Sequence, residues 1–179
     1  MCQENWYGMV DLKTLKTYLR IDHDEDDNVL DMMISSAITD LERRSGKSLR
    51  HREEKISVSL QNLRDMGDMW RVSVTRAPIK HIVAVYVQDK AMDMSSLSYI
   101  VRNEDRESYI LFQKDEKLGD WIHSNDISIV YVTGYESVPK DIQLVLYMLI
   151  SDLYHNNIEY TFDVKRLLMR YRLPKLLAV

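Results

Sequence analysis

The sequence predicts an α+β fold, mainly a helical bundle of two N-terminal and two C-terminal helices with a small central antiparallel β-sheet inserted between them. Three observations lead there. Apolar residues recur at three- and four-residue spacing from Val10 to Leu41, the period switches to two between Lys55 and Thr133, and helical spacing returns after Pro139. No internal repeat, low-complexity tract or Gly/Ser linker divides the chain, so a single domain over residues 1–179 is expected. It comprises helices over 10–46, a β-rich middle over 55–133, helices over 139–171 and a tail over 172–179.

Val10 to Arg20 reads as a short helix, with Leu12, Leu15, Tyr18 and Leu19 on one side and Asp11 as its N-terminal cap. An acidic run, Asp22, Asp24, Glu25, Asp26 and Asp27, leads into a second helix in which Leu30, Met33, Ile34, Ala37, Ile38 and Leu41 share a face until Ser45-Gly46 ends it. Acids at that end complement the positive pole of the helix, which is a structural reason for the run. In the middle, strands are expected at Ile56 to Leu60, Val72 to Val74, Ile82 to Val87, Tyr99 to Val101, Tyr109 to Phe112 and Ile127 to Val132, as one small antiparallel sheet. Asn103-Glu-Asp-Arg106 reads as a hairpin turn, and Ala77-Pro78 marks a sheet edge or the start of a strand, because proline has no N–H for the ladder.

Pro139 suits a helix start, and Asp141 to Tyr154 is apolar on almost every face. About 14 residues cannot span a bilayer, which takes roughly 17 to 25, so this helix must be covered by protein, its own or that of a second copy. A basic helix from about Asp163 to Tyr171 follows, and Leu173-Pro174 ends it.

With 179 residues, 45% hydrophobic and 29% charged, the chain is long enough for one core. A net charge of -4 argues against tight non-specific binding of nucleic acid, although not against standing beside DNA. Cys2 is the only cysteine, which excludes an intrachain disulfide or a Cys-based zinc site and suits a reducing compartment. The opening residues Met1 to Trp6 have neither a basic nor an apolar signal region, so synthesis in the cytoplasm without membrane association is expected.

Little in the chain assembles into a reactive site. Asp22-His-Asp24-Glu-Asp26 has the alternating oxygens of a calcium loop, but Asp27 stands where the turn needs glycine and Met33 where a bidentate Glu is required. The five histidines and five glycines are scattered, so no His-x-x-x-His pair, phosphate-cradling loop or Gly-x-Ser-x-Gly elbow exists. No enzyme, cofactor or metal is expected. Two basic clusters stand out. Arg43, Arg44, Lys47, Arg50 and Arg52 follow a helix end, where cations complement the dipole. In the second, Lys165, Arg166, Arg170, Arg172 and Lys175 interleave with Leu167, Leu168, Tyr171 and Leu173, giving either a helix docked on its own domain or a partner-binding segment.

Motifs spread over about 160 residues are similar to those of the head-tail connector (adaptor) proteins of long-tailed bacteriophages and prophages. They begin with Leu15-Lys16-Thr-Tyr18-Leu19-Arg20-Ile21-Asp22, Asp26-Asp27, Leu30, Ile34, Ala37, Leu41-Glu42 and Ser45-Gly46. Ala77-Pro78-Ile79, Ile82 to Tyr86, Trp121 and Ile127 to Tyr131 continue them, then Gly134-Tyr135, Val138-Pro139, Ile142 and Tyr154, and finally Leu167-Leu168-Met-Arg-Tyr171-Arg172. Asn157 departs from the pattern, standing where the family commonly has an arginine.

The resemblance implies a structural virion protein at the capsid-tail junction that forms a ring, typically of twelve subunits, beneath the portal protein. That ring extends the DNA channel and receives the next neck or tail-completion protein, DNA passing through without sequence-specific binding. The family's C-terminal segment engages the portal, which assigns that role to Leu167, Leu168, Tyr171 and Arg172, with Lys165, Arg166 and Arg170 adjoining. A ring needs two different complementary patches per subunit, and Leu144, Tyr147, Met148 and Tyr154 are the expected subunit contact. Asp24, Glu25, Asp26 and Asp27 are expected to face the channel, since cations there would grip phosphate and slow the DNA. The alternatives are a DNA-binding packaging accessory using the basic clusters, or a metal-dependent enzyme using the acidic run.

Overall fold

The computed structural model describes residues 9–59, 62–104, 107–114 and 127–156. By their internal contacts these fall into two compact units, a helical one from residues up to Leu49 and from Glu136 onward, and a sheet unit from Arg50 to Tyr135.

In the helical unit, α1 spans Leu12–Leu19, α2 Asp27–Ser45 and α3 Lys140–Tyr154. Asp11 caps α1 as its spacing predicts, its carboxylate accepting from the Thr14 backbone N–H at 2.9 Å. Gly46 ends α2 with φ 74°, a left-handed conformation in which its N–H reaches the Glu42 carbonyl at 3.0 Å. The acidic run behaves differently from a simple cap. Asp26 stands at the N-cap of α2 without a capping bond, and its carboxylate instead accepts from the Tyr154 hydroxyl at the far end of α3, at 2.9 Å.

The apolar face of α2, Leu30, Ile34, Ala37, Ile38 and Leu41, is buried, as are Leu15 of α1 and Ile142, Val145, Leu146, Leu149 and Ile150 of α3. Packing of α1 and α2 on α3 accounts for this burial. Glu42 is buried among them, and its Oε1 accepts from the Leu49 N–H at 2.7 Å, fastening the segment after Gly46 back onto α2.

The sheet unit holds β1 Arg52–Ser57, β2 Leu63–Asp65, β3 Met69–Ser73, β4 Ile79–Val87, β5 Lys90–Ala91, β6 Tyr99–Asn103, β7 Ser108–Gln113 and β8 Ile127–Thr133, with a 3-10 turn at Met94–Ser96. They form two four-stranded sheets of order β1-β8-β4-β5 and β2-β3-β7-β6, antiparallel at every pairing. The expected hairpin of β6 and β7 is present, in register from Tyr99 opposite Phe112 to Asn103 opposite Ser108. Proline 78 sits immediately before β4, at the start of a strand where its missing N–H costs no ladder bond.

Alternate residues of both sheets build one core, with Ile56, Ile82, Val85, Ile129 and Tyr131 from the first meeting Val72, Ile110 and Phe112 from the second. Asn103 clamps the two sheets together, its amide donating to the Ile79 carbonyl and accepting from the Ile79 N–H, each at 2.8 Å.

This architecture corrects the expected one. A mainly helical bundle with a small sheet insertion is not what forms, since among the described residues three α-helices stand beside two four-stranded sheets. Strand pairing explains the difference: β8 joins β1 to β4, and β7 joins β3 to β6, so the strands sort into two layers by contacts far apart in the chain. The expected helix from Asp163 to Tyr171 lies outside the described residues.

Candidate assembly surface

Helix α3 does not bury itself completely. Its inward face is Ile142, Val145, Leu146, Leu149 and Ile150, while Lys140, Leu144, Tyr147, Met148 and Ser151 follow one another at three- and four-residue spacing on the other side. Leu144 is 47% exposed, and Tyr147 and Met148 are partly buried. Tyr18 of α1 extends the stripe, stacking on Tyr147 with ring centroids 5.7 Å apart and an interplanar angle of 26°, and is itself 46% exposed. The result is an apolar ridge across two helices of one unit. Three of the four residues expected at a subunit contact, Leu144, Tyr147 and Met148, lie on it; the hydroxyl of the fourth, Tyr154, is spent on Asp26.

That bond holds the Tyr154 hydroxyl above its ordinary titration range, because ionisation would set two negative charges together. The other acids of the run are also partly committed. Lys16 binds both Asp24 and Asp27, the latter at 2.8 Å, and these hydrogen bonds raise the lysine's pKa and lower that of Asp24. Asp24 nevertheless keeps 92% of its side chain in solvent, and Glu25 is exposed. Among the described residues no three His, Cys, Asp or Glu side chains group as a metal site.

Part of the first basic cluster is engaged internally. Asp40 takes Arg43 at 2.5 Å and Arg44 at 2.7 Å, with the Arg43 side chain still 74% exposed, and Lys47 is buried. Lys165, Arg166, Leu167, Leu168, Arg170, Tyr171 and Arg172 lie outside the described residues.

On α2 the outward face carries a second apolar patch, with Met32 74% and Val29 46% exposed. Beside it Met32, Ser36, Thr39 and Arg43 of α2 and Leu149 and Leu153 of α3 line a groove of about 630 Å³. Sequence reasoning missed this groove, because it is lined jointly by α2 and α3 and depends on how those two helices pack.

The described part of the helical unit thus presents exposed apolar surface on two faces, of the kind that association can cover. The chain belongs to the phage gp6-like head-tail connector protein family, whose model matches residues 9–165. It is thus a structural protein of a phage-type virion, placed where capsid and tail join.

Solved structures of similar fold come from gene transfer agent (GTA) particles. A chain from the virion of the native particle aligns with a TM-score of 0.67 at 16% identity, covering 96% of this chain and 93% of its own. One from the neck of the empty particle, computed with C6 symmetry, has a TM-score of 0.63 at 16% identity with the same coverages. Another, from the neck of the native particle computed with C12 symmetry, has a TM-score of 0.63 at 15% identity and covers 100% of this chain and 96% of its own. At these identities the likeness is one of fold. No curated protein matches the chain.

Proposed function

We propose that this connector works as a ring of identical subunits beneath the portal, lengthening the DNA channel and presenting a platform to the next neck or tail-completion protein. One observation carries the proposal: a family member whose α3 turns Leu144, Tyr147 and Met148 outward, with Tyr18 stacked alongside, exposes apolar surface that association would cover. Neck assemblies of six- and twelve-fold symmetry formed by proteins of similar fold support the reading.

In this scheme Leu144, Tyr147 and Met148 form the subunit contact, with Tyr154 at its margin. Asp24, Glu25, Asp26 and Asp27 face the channel, where their charge repels phosphate and lets the DNA slide. The segment bearing Lys165, Arg166, Leu167, Leu168, Arg170, Tyr171 and Arg172 engages the portal through apolar anchors flanked by cations.

Native mass measurement of the purified chain, alone and mixed with its portal, tests this directly. A ring or a portal complex is expected, and truncation after Phe162 removes the portal complex. A truncated chain that still binds the portal as tightly refutes the assigned segment, and a chain that neither self-associates nor binds any capsid-vertex component refutes the whole reading.

A further inference from the structure

We infer that Tyr154 and Asp26 act as positioning residues: the hydrogen bond between them fixes where α3 ends and the direction in which the chain leaves it, towards the segment that engages the portal. The inference rests on the assignment of that segment to the portal made above, and it adds the contact that presents it.

The last turn of a helix has carbonyls without partners along the helix and frays unless something holds it. Three bonds hold the end of α3. The Tyr154 hydroxyl donates to the Asp26 carboxylate at 2.9 Å, across 128 positions of sequence. The His155 N–H reaches the Ser151 carbonyl at 3.0 Å, and its ring meets that of Tyr154 edge-on with centroids 5.5 Å apart. The Asn156 N–H reaches the Leu153 carbonyl at 3.2 Å, and Asn156 itself has φ 55°, a left-handed conformation that turns a chain off the helix axis and that asparagine adopts more readily than most residues.

The acceptor is held from a second helix. Asp24 and Asp27, on either side of Asp26 in the run, both accept from Lys16 of α1, so all three helices of the unit are tied to the turn at 24–27. His23 lies 3.9 Å from the same Asp26 oxygen, beyond hydrogen-bond range. Asp26 stands at the N-cap of α2, where a carboxylate ordinarily accepts from the helix's own first N–H groups, and it makes no such bond. A local contact given up for a distant one marks a residue whose role is set by more than the helix it begins. Holding a tethered segment at a fixed point of departure reduces the freedom it loses on binding, so portal affinity is where the contact shows.

The test titrates the full chain against its portal and follows hydrogen exchange of the last turn of α3. Tyr154→Phe keeps the ring and loses only the hydroxyl. It is expected to weaken portal binding by about three- to ten-fold and to speed exchange at His155 and Asn156, while the melting temperature falls by only about 1–3 °C and the chain stays folded. Asp26→Ala should match it. Asp26→Asn, which keeps an oxygen able to accept the bond, should bind as the unaltered chain does, and Tyr154→Phe combined with Asp26→Ala should be no weaker than either alone. Unchanged affinity or unchanged exchange in Tyr154→Phe overturns the inference while the portal assignment stands, as do losses that simply add in the double variant. A chain truncated after Phe162 that still binds the portal as tightly removes the assignment and the inference together.

Discussion

The sheet unit and the helical unit each close a buried core and each leave large apolar side chains exposed, but they place them differently. Between its sheets the first closes a core in which Ile110 and Tyr131 have no solvent exposure, and arginine and lysine on its periphery stack on aromatic rings, Arg71 over Tyr109 at 4.0 Å and Lys114 over Trp70 at 4.2 Å. The sheet unit leaves Met66, Val83, Tyr99 and Ile100 exposed on turns and strands, whereas the helical unit, also with a buried centre, leaves Tyr18, Val29, Met32 and Leu144 in water on its helices, with Tyr18 stacked on Tyr147. Burial of apolar area stabilises a fold, and apolar area held back from the core is available to a partner. Stability and association are therefore expected to respond to different residues.

The strongest way to break that contrast is inside the sheet core. Ile110→Ala removes a fully buried side chain and is expected to cost about 2–5 kcal/mol in denaturant unfolding, with association of the surviving folded fraction unchanged. Gly134→Ala follows. The residue has φ 115°, and an added Cβ would lie 2.5 Å from the Arg50 carbonyl oxygen, a backbone contact that cannot rotate away, so a loss of about 2–4 kcal/mol is expected in the same measurement.

Tyr131→Phe is milder. The Tyr131 hydroxyl is buried, with Thr75 and the Arg76 backbone near it but not in good hydrogen-bond geometry, and burial pushes its pKa up to about 12. An unfolded tyrosine ionises near 10, so the native state loses stability as pH rises from about 10 towards 12. Phenylalanine should change neutral-pH stability by about 1 kcal/mol or less and flatten that alkaline decline in a melting-temperature titration.

At the acid end the sign reverses. Hydrogen bonds from Thr14, Lys16, Lys114 and Ser95 hold Asp11, Asp24, Asp65 and Asp93 respectively below the ordinary carboxylate range. Their stabilising effect is present above about pH 4 and is lost as pH falls through the lowered values. Asp24→Asn should shallow the acid limb of the same titration, and an unchanged limb would show that the Lys16 contact adds nothing in solution.

The smallest expected change in stability is the most informative about association. Leu144→Lys alters an exposed residue and should shift unfolding by about 0.5 kcal/mol or less. It is nevertheless expected to abolish self-association by native mass, and rings that persist would return the ridge to the status of ordinary surface.

Helix positions were largely legible because their signals are local. Asp11 and Gly46 bound their helices through bonds to residues three or four positions away, and α3 begins one residue before its predicted start. Strands β2 and β5 escaped notice, since three and two residues are too few to show a period. Asn103 was read as a turn residue, but its clamp on Ile79 joins segments 24 positions apart, which no local pattern announces.

What the sequence determined alone, among the described residues, was where α1, α2 and α3 run, where the longer strands fall, which faces are apolar, and the family resemblance that the matching model supports. Capping and periodicity are short-range effects, written into neighbouring residues. Only the tertiary structure decided that the strands sort into two sheets, that Asp26 is held by Tyr154, and that α3 buries Leu149 while leaving Leu144 in water. Those outcomes depend on which distant surfaces meet, and a helix apolar on every side does not say which of its sides will be covered.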